Sequence, residues 1–182
     1  MPVQSGEPIG PFPPGVDPVE YDKLRRRVLW SMPSGLYLVG SRSGLERNLM
    51  TLNWATQLSF NPKLVGVSVE RVAYTHELVE QAGCFALSLV DREDRAIVRK
   101  FTKPVEVDLT GHTLNGFEYF DGPRTAAPVL AQSVAYVECE VRQPVEAGNH
   151  TLFLGEVVNA AFLKDEATAV LRMEDTRMNY GG

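Results

Sequence analysis

Met50-Thr51-Leu52-Asn53-Trp54-Ala55-Thr56-Gln57-Leu58-Ser59-Phe60-Asn61-Pro62 is the stretch that decides the fold. From Leu49 to Ser59 it alternates loosely between apolar and polar residues, as a half-buried strand does. Asn61-Pro62 then signals a turn. Such a strand offers a row of amides and carbonyls that can pair with the polar edge of a flat heteroaromatic ring. Asn53, Thr56, Gln57 and Ser59 can add side-chain hydrogen bonds, and Trp54 either covers a ring or packs. A plain amphipathic strand has the same pattern, and these residues alone leave both readings open.

Outward from this stretch, strands dominate. Upstream, Gly35 to Gly40 is short, apolar and bounded by glycines, which reads as a strand; Ser41 to Arg47 reads as a polar turn. Downstream come strands at Leu64 to Val69 and Cys84 to Leu89. Between them, Thr75 is expected to cap a helix that runs to Ala82 and stops at Gly83, with Glu77 suiting its N-terminal end. Asp91 is expected to cap a second helix to Phe101, with Ile97, Val98 and Phe101 facing inward. Residues 102–132 are rich in Gly and Pro and read as irregular, with a short strand at Phe117 to Phe120. Ser133 to Val141 alternates, with Ala135, Val137, Cys139 and Val141 on one face and Glu138, Glu140 and Arg142 on the other. Gly148-Asn149 turns the chain into a long strand, Thr151 to Phe162, and Ala167 to Arg172 reads as a last short strand. At the N-terminus, residues 1–18 form a Pro/Gly-rich arm, disordered or draped over a partner. Asp17 or Pro18 opens a helix from Val19 to Leu29. The expected organisation is thus an arm at 1–18 and one domain at 19–182. Many short strands, few helices and frequent turns suggest a closed or split antiparallel barrel.

The chain has 182 residues, 44% of them hydrophobic and 23% charged, with a net charge of −5. The length suits one domain with its own core. The acidic balance argues against nucleic-acid binding. Cys84 and Cys139 sit in apolar runs outside any CxxC pair and read as buried free thiols. His76, His112 and His150 form no zinc pattern, so no metal is expected. No apolar run approaches the roughly 20 residues of a spanning helix. The N-terminus lacks the basic start and apolar run of a signal peptide. A cytoplasmic location and no membrane partner are therefore expected.

Two further constellations bear chemistry. In Ser68-Val69-Glu70-Arg71-Val72-Ala73-Tyr74-Thr75-His76, a strand ends and a helix begins. Free amides at a helix N-terminus bind phosphate well, and Arg71 can add a bidentate contact; an ordinary capped helix with a solvated Arg reads equally. In Gly148-Asn149-His150-Thr151, the imidazole either touches a cofactor or a reacting nicotinamide, or lies on the surface. No Ser-His-Asp order, Walker loop, GxGxxG or paired-carboxylate motif is present. Any nicotinamide is therefore held without a Rossmann unit.

Together these segments resemble the flavin-reductase-like, FMN-binding split-barrel family over about Leu29 to Asp165. Met50 to Pro62 looks like the family's M-T-x-N-x-x-T-x-x-S-x-D-P segment. Arg71 to His76 looks like its loop before the first helix, and Gly148 to Val157 like its G-D-H-x-x-x-x-G-x-V signature. The resemblance implies a mainly β fold, a six-stranded antiparallel Greek-key split barrel with a few helices, working as a homodimer. It implies FMN, with FAD as the alternative, held by Met50, Thr51, Leu52, Asn53, Trp54, Ala55, Gln57, Ser59, Arg71, Tyr74 and Thr75. The isoalloxazine would lie along Leu52 to Ala55. Gln57, Ser59, Arg71 and Thr75 would hold the phosphate. His150 matches a histidine near the reduced nicotinamide. The implied reaction is hydride transfer from NADH or NADPH to flavin, with a separate oxygenase as recipient of the reduced flavin. An electron carrier without NAD(P)H turnover and a deazaflavin-dependent reductase are the alternatives. Three positions depart from the pattern. Asn149 replaces Asp, Lys63 stands where a second Pro is common, and Trp54 stands where a small residue is usual. The tail, Met173 to Gly182, lies outside the family pattern and is expected near the cofactor or across the dimer.

Overall fold

The computed structural model describes residues 7–178. Helix α1 (Pro18–Trp30) starts where the Asp17 carboxylate accepts the Glu20 N–H at 2.9 Å, with Pro18 in the first turn, where its missing N–H is harmless. No residue of α1 is buried. The described part of the arm folds back on it: Phe12 meets Tyr21 edge-on with ring centroids 6.5 Å apart, and Arg25 donates to the Ile9 carbonyl.

The chain then forms β1 (Tyr37–Ser43), β2 (Glu46–Leu52), β3 (Ala55–Phe60), β4 (Lys63–Glu70), α2 (Tyr74–Ala82) and β5 (Cys84–Leu89). After two short 3₁₀ helices come β6 (Val107–Asp108), β7 (Thr113–Leu114), β8 (Phe117–Asp121), β9 (Pro128–Leu130), β10 (Ala135–Ala147) and β11 (His150–Phe162). The main sheet is antiparallel, with order β2-β1-β5-β10-β11-β4-β3. Its two edge strands, β2 and β3, are consecutive in the chain and separated only by Asn53 and Trp54. Three Cα steps span at most about 11 Å, whereas a flat sheet of this order would hold its edges roughly 29 Å apart. The sheet therefore curls until its edges meet at Asn53–Trp54, in the sense that strand twist favours. Among the described residues the two edges do not pair with each other, so the barrel is not closed.

One core lies within the curl, where Val39, Val67, Phe85, Leu87 and Phe153 meet. Leu36 and Leu38, on the other face of the β1 segment, pack with Val98, Phe101, Leu114 and Leu130 in a second core. This second core is covered by the 3₁₀ helices and by the small sheet β6-β7-β8-β9. Burial on both faces explains why Gly35 to Gly40 reads as one apolar run. Gly40 is required: a Cβ there would lie 2.1 Å from the Pro128 carbonyl oxygen.

Several expectations are corrected. The main sheet has seven strands, not six, because the run from Leu49 to Ser59 is two strands broken at Asn53–Trp54. The polar turn expected at Ser41 to Arg47 shrinks to Gly44-Leu45, since β1 and β2 pair out to Ser43 and Glu46. The helix from Asp91 to Phe101 is two 3₁₀ turns, Arg92–Asp94 and Ile97–Phe101, although Asp91 does cap the first. Residues 102–132 hold the expected strand at Phe117 as β8 and three more, β6, β7 and β9, too brief for periodicity to reveal. Thr75 does not cap α2: Ala73 is the N-cap, and the Thr75 hydroxyl accepts from Asn48 at 2.8 Å. The strand at Ala167 to Arg172 is reduced to isolated bridges at Val170 and Arg172. Glu138 lies on the face opposite Cys139, as the alternation implies. It is 0% exposed, because the loop from Gly122 to Thr125 covers it. Other signals hold: Gly83 ends α2 with φ at +66°, and Gly148-Asn149 is a two-residue hairpin loop with Gly148 at +64°.

Candidate active site

Strand alternation builds the site. On β4, Val67 and Val69 point into the curl, so Gly66, Ser68 and Glu70 face outward. On β11, Thr151 and Phe153 are buried inward, so His150 and Leu152 share the outer face. The outward groups Gly66, Ser68 and Leu152, with Ala55 and Thr56 from β3, floor a cleft of about 600 Å³. This volume lies within the range of small-molecule sites, about 300–1,000 Å³. Asn53 and Trp54 rim it on one side, where the sheet edges meet. Trp30, the last residue of α1, Pro33 just beyond it, and Met173 and Met178 from the C-terminal segment wall the other. The Trp54 carbonyl accepts from the Ser68 N–H at 2.9 Å, which fixes the rim to the floor.

His150 lies beside this cleft, 8% exposed, with its ring tilted on Trp54 at a centroid distance of 4.8 Å. Its Nδ1 is 2.8 Å from the Asn149 side-chain oxygen, which only accepts, so Nδ1 carries the proton and Nε2 presents a lone pair. Burial lowers the His150 pKa; Glu70, its register partner across the β4–β11 ladder, opposes the shift, and His76 adds to it. His150 is therefore neutral at pH 7. His76 itself is buried on α2 and makes a 2.7 Å hydrogen bond with Thr151.

The other expected site residues divide. Asn53, Trp54 and Ala55 line the cleft. Met50 and Leu52 turn into the inner core, and the Thr51 hydroxyl donates to the Val98 carbonyl. Gln57 is exposed on β3 with its amide donating to the Ser59 carbonyl, and Ser59 is half-buried. Arg71 is exposed, and its backbone N–H donates to the Asn149 carbonyl, tying the end of β4 to the β10–β11 turn. Tyr74 is half-buried; burial, then Glu46 and Glu77, push its phenol pKa up. Thr75 is 0% exposed, so its hydroxyl faces no accessible space. Trp30, Gly66, Ser68, Leu152, Met173 and Met178 were not among the expected residues. Alternation around Val67 and Phe153 could have found Gly66, Ser68 and Leu152. Of the tail, Met173 and Met178 line this cleft, and residues 179–182 lie outside the described residues.

A flat conjugated ring fits this cleft. At Gly66 a Cβ would meet Leu58 Cδ1 at 2.7 Å and Leu152 Cδ1 at 3.1 Å, so the glycine keeps the floor low. Two indoles wall it, and the Asn53 amide with the Thr56 and Ser68 hydroxyls offers a few polar groups. No group of His, Cys, Asp and Glu among the described residues is arranged to hold a metal ion. No helix among them is long and apolar enough to cross a membrane.

The chain is 33% identical over 148 residues to an NADH-dependent FAD reductase of Streptomyces globisporus, covering 80% of this chain and 78% of that protein. Among solved structures, the NADH:FAD oxidoreductase SgcE6 of Streptomyces globisporus C-1027 superposes with a TM-score of 0.73 at 31% identity, covering 89% of this chain and 93% of that one. BorF, the flavin reductase component of a bacterial two-component tryptophan halogenase, gives a TM-score of 0.67 at 26% identity, covering 77% and 86%. The flavin reductase like domain matches residues 29–181, nearly all of the described fold. With its mainly β, antiparallel architecture and few helices, this chain belongs to the flavin reductase like domain family.

Proposed function

We propose that this protein is an NAD(P)H-dependent flavin reductase, the reductase component of a two-component flavin-dependent monooxygenase. The observation that carries the reading is the cleft floored by Gly66 and Leu152 and walled by Trp30 and Trp54, in a chain of this family. FMN or FAD, when bound, supplies the hydride-accepting chemistry. The chain supplies placement. Gly66 admits the ring to the sheet, Trp54 and Ala55 border it, and Asn53, Thr56 and Ser68 meet its polar edge. Gln57, Ser59 and Arg71 continue outward along β3 and the end of β4, where a phosphate would lie. Neutral His150 offers its Nε2 lone pair to a donor such as a carboxamide N–H of the nicotinamide. No general acid or base is required. The test is rapid mixing under anaerobic conditions: NADH or NADPH added to the protein with FMN or FAD should bleach the flavin's visible absorbance. If neither donor does so above the rate without protein, the proposal fails.

One observation favours a second reading, an FMN-binding electron carrier without NAD(P)H turnover. Trp54 rests on the His150 ring at 4.8 Å, on a face a nicotinamide would need, and Asn149 brings no charge to that turn. Tight FMN with no NAD(P)H oxidation would select it, and reduction by a reduced deazaflavin alone would select a deazaflavin-dependent enzyme. Either protein would work as a homodimer in the cytoplasm, as an arm and one split-barrel domain whose open edge a second copy covers. Supporting this, α1 leaves Val19, Leu24, Val28 and Leu29 exposed, and the edge strand β3 exposes Leu58 and Phe60. Sedimentation velocity should give twice the chain mass.

A further inference from the structure

We infer that Met173 and Met178, on the C-terminal segment, are positioning residues that set the width of the flavin cleft, and that an Arg92–Asp175 latch holds them there. The inference rests on the flavin reading above. It starts from a second cleft of about 680 Å³ beside the first. The two share Trp30, Met32, Pro33, Ser34, Met173 and Met178, so these residues form the partition between them. Met173 and Met178 also pack against the second core, so their reach into the flavin cleft is set by that packing together with the backbone that carries them.

That backbone is tied at several points. Leu171 is 1% exposed; its N–H donates to the Val90 carbonyl at 2.8 Å, and its carbonyl accepts from Leu36 at 3.2 Å. The Met173 N–H donates to the Ser34 carbonyl at 3.0 Å. Beyond this the latch takes over. Asp175 accepts from Arg92 at 2.8 Å with one oxygen and from the Arg172 N–H at 2.9 Å with the other. The Thr176 hydroxyl donates to the Met173 carbonyl at 2.9 Å and accepts the Met178 N–H at 3.1 Å, closing the turn that carries both methionines. Arg92 stands before the first 3₁₀ helix's end, remote in sequence from the tail, and its Nε is buried without a partner. Unbranched thioethers adapt to a flat ring more readily than branched side chains do.

The test compares Met173→Ala, Met178→Ala, their Leu counterparts and Asp175→Asn. FMN affinity is read by quenching of Trp30 and Trp54, which both line the cleft; KM for NADH, the flavin absorption band shape and the melting temperature are read alongside. Each Ala variant should weaken FMN about tenfold and alter the band shape. Each Leu variant should stay within about twofold of wild type. Asp175→Asn, which touches no ring, should weaken FMN about fivefold. If wild type binds flavin and the Ala and Asn variants bind it equally well, the inference is overturned. Loss in Ala without recovery in Leu also overturns it. Met178, half-buried at the end of the segment, keeps the test valid should Met173→Ala fail to fold. A wild type that binds neither FMN nor FAD overturns the flavin reading itself, and this inference with it.

Discussion

Replacing Glu138 tests whether a buried carboxylate organises the loop that covers β10. One oxygen of Glu138 accepts from the Arg124 N–H at 3.0 Å, the Thr125 N–H at 2.7 Å and the Thr125 hydroxyl at 2.8 Å. The other accepts from the Asn159 amide at 2.7 Å. Burial raises the Glu138 pKa, but the bonds from Asn159, Thr125 and Arg124 together outweigh it and leave the pKa below the ordinary value. Glu138→Ala strands four donors in a site with 0% exposure. Each stranded donor costs about 1–3 kcal/mol. Water entering the vacated space should recover about half of this, leaving about 4 kcal/mol. Glu138→Gln keeps the shape. Asn159 can turn its amide to accept from the new NH₂, so only the charge assistance is lost, about 1–2 kcal/mol. For a domain of this size these translate to roughly 8–16 °C and roughly 2–8 °C in melting temperature. The pH dependence follows from the lowered pKa. The stabilisation is full above the unfolded value, about 4.3, and is lost as pH falls through the folded pKa. Wild type should therefore converge on Glu138→Gln in acid. Urea midpoints at neutral and acid pH measure both effects. An Ala variant costing less than about 1 kcal/mol, or a gap between wild type and Gln that does not shrink in acid, would refute the reasoning.

Gly66→Val should weaken FMN binding about tenfold or more while moving the melting temperature by less than about 3 °C, since Val suits a strand and the displaced Leu58 is exposed; isothermal titration and a thermal melt check the pair. Because burial lowers the His150 pKa, the unfolded chain takes up the proton first. Its contribution to stability is full above about pH 6.5 and falls below it, so His150→Gln should lose less stability than wild type between about pH 7.5 and about pH 5.5, read by denaturant midpoints. Cys139 is 0% exposed and burial, then Glu138, pushes its thiol up to about 12, so an alkylating reagent at neutral pH should label it only after denaturation, as counted by mass spectrometry.

The sequence revealed most where one rule governed a residue. Cys84 to Leu89 is a strand with the bounds its apolar run implies, and Gly148-Asn149 is the turn its composition implies. It misled where two rules competed. Thr75 is a good capping residue by type, yet Asn48 of β2 engages its hydroxyl across the fold. Glu138 sits on the polar side of an alternating strand, yet a loop closes over that side and supplies donors. Neither Asn48 nor the 122–125 loop is near in sequence to the residue it recruits, so local pattern could not disclose them. The same holds for the cleft. Its rim, Asn53 to Ala55, was legible from one segment, while its far wall comes from Trp30 and from Met173 and Met178, at opposite ends of the chain.

The position of the proposed flavin cleft follows from how the sheet curls. A seven-stranded sheet whose first and last strands are joined by two residues must bend back on itself, and at that joint the backbone leaves the ladder. Elsewhere on the sheet, outward side chains are covered by helices and the small second sheet or face solvent. At the joint, the outward residues of β4 and β11 have no strand laid over them, and Trp54 and Asn53 stand at the edge of that gap. The seam thus supplies a partly apolar floor, a few polar groups and an aromatic rim together, which is what a flat polar-edged ring requires. Closing the seam with one more ladder would stabilise the barrel and cover the site. The split in the barrel and the cleft are therefore one feature, and the segment from Met50 to Pro62 carries both because it contains the joint.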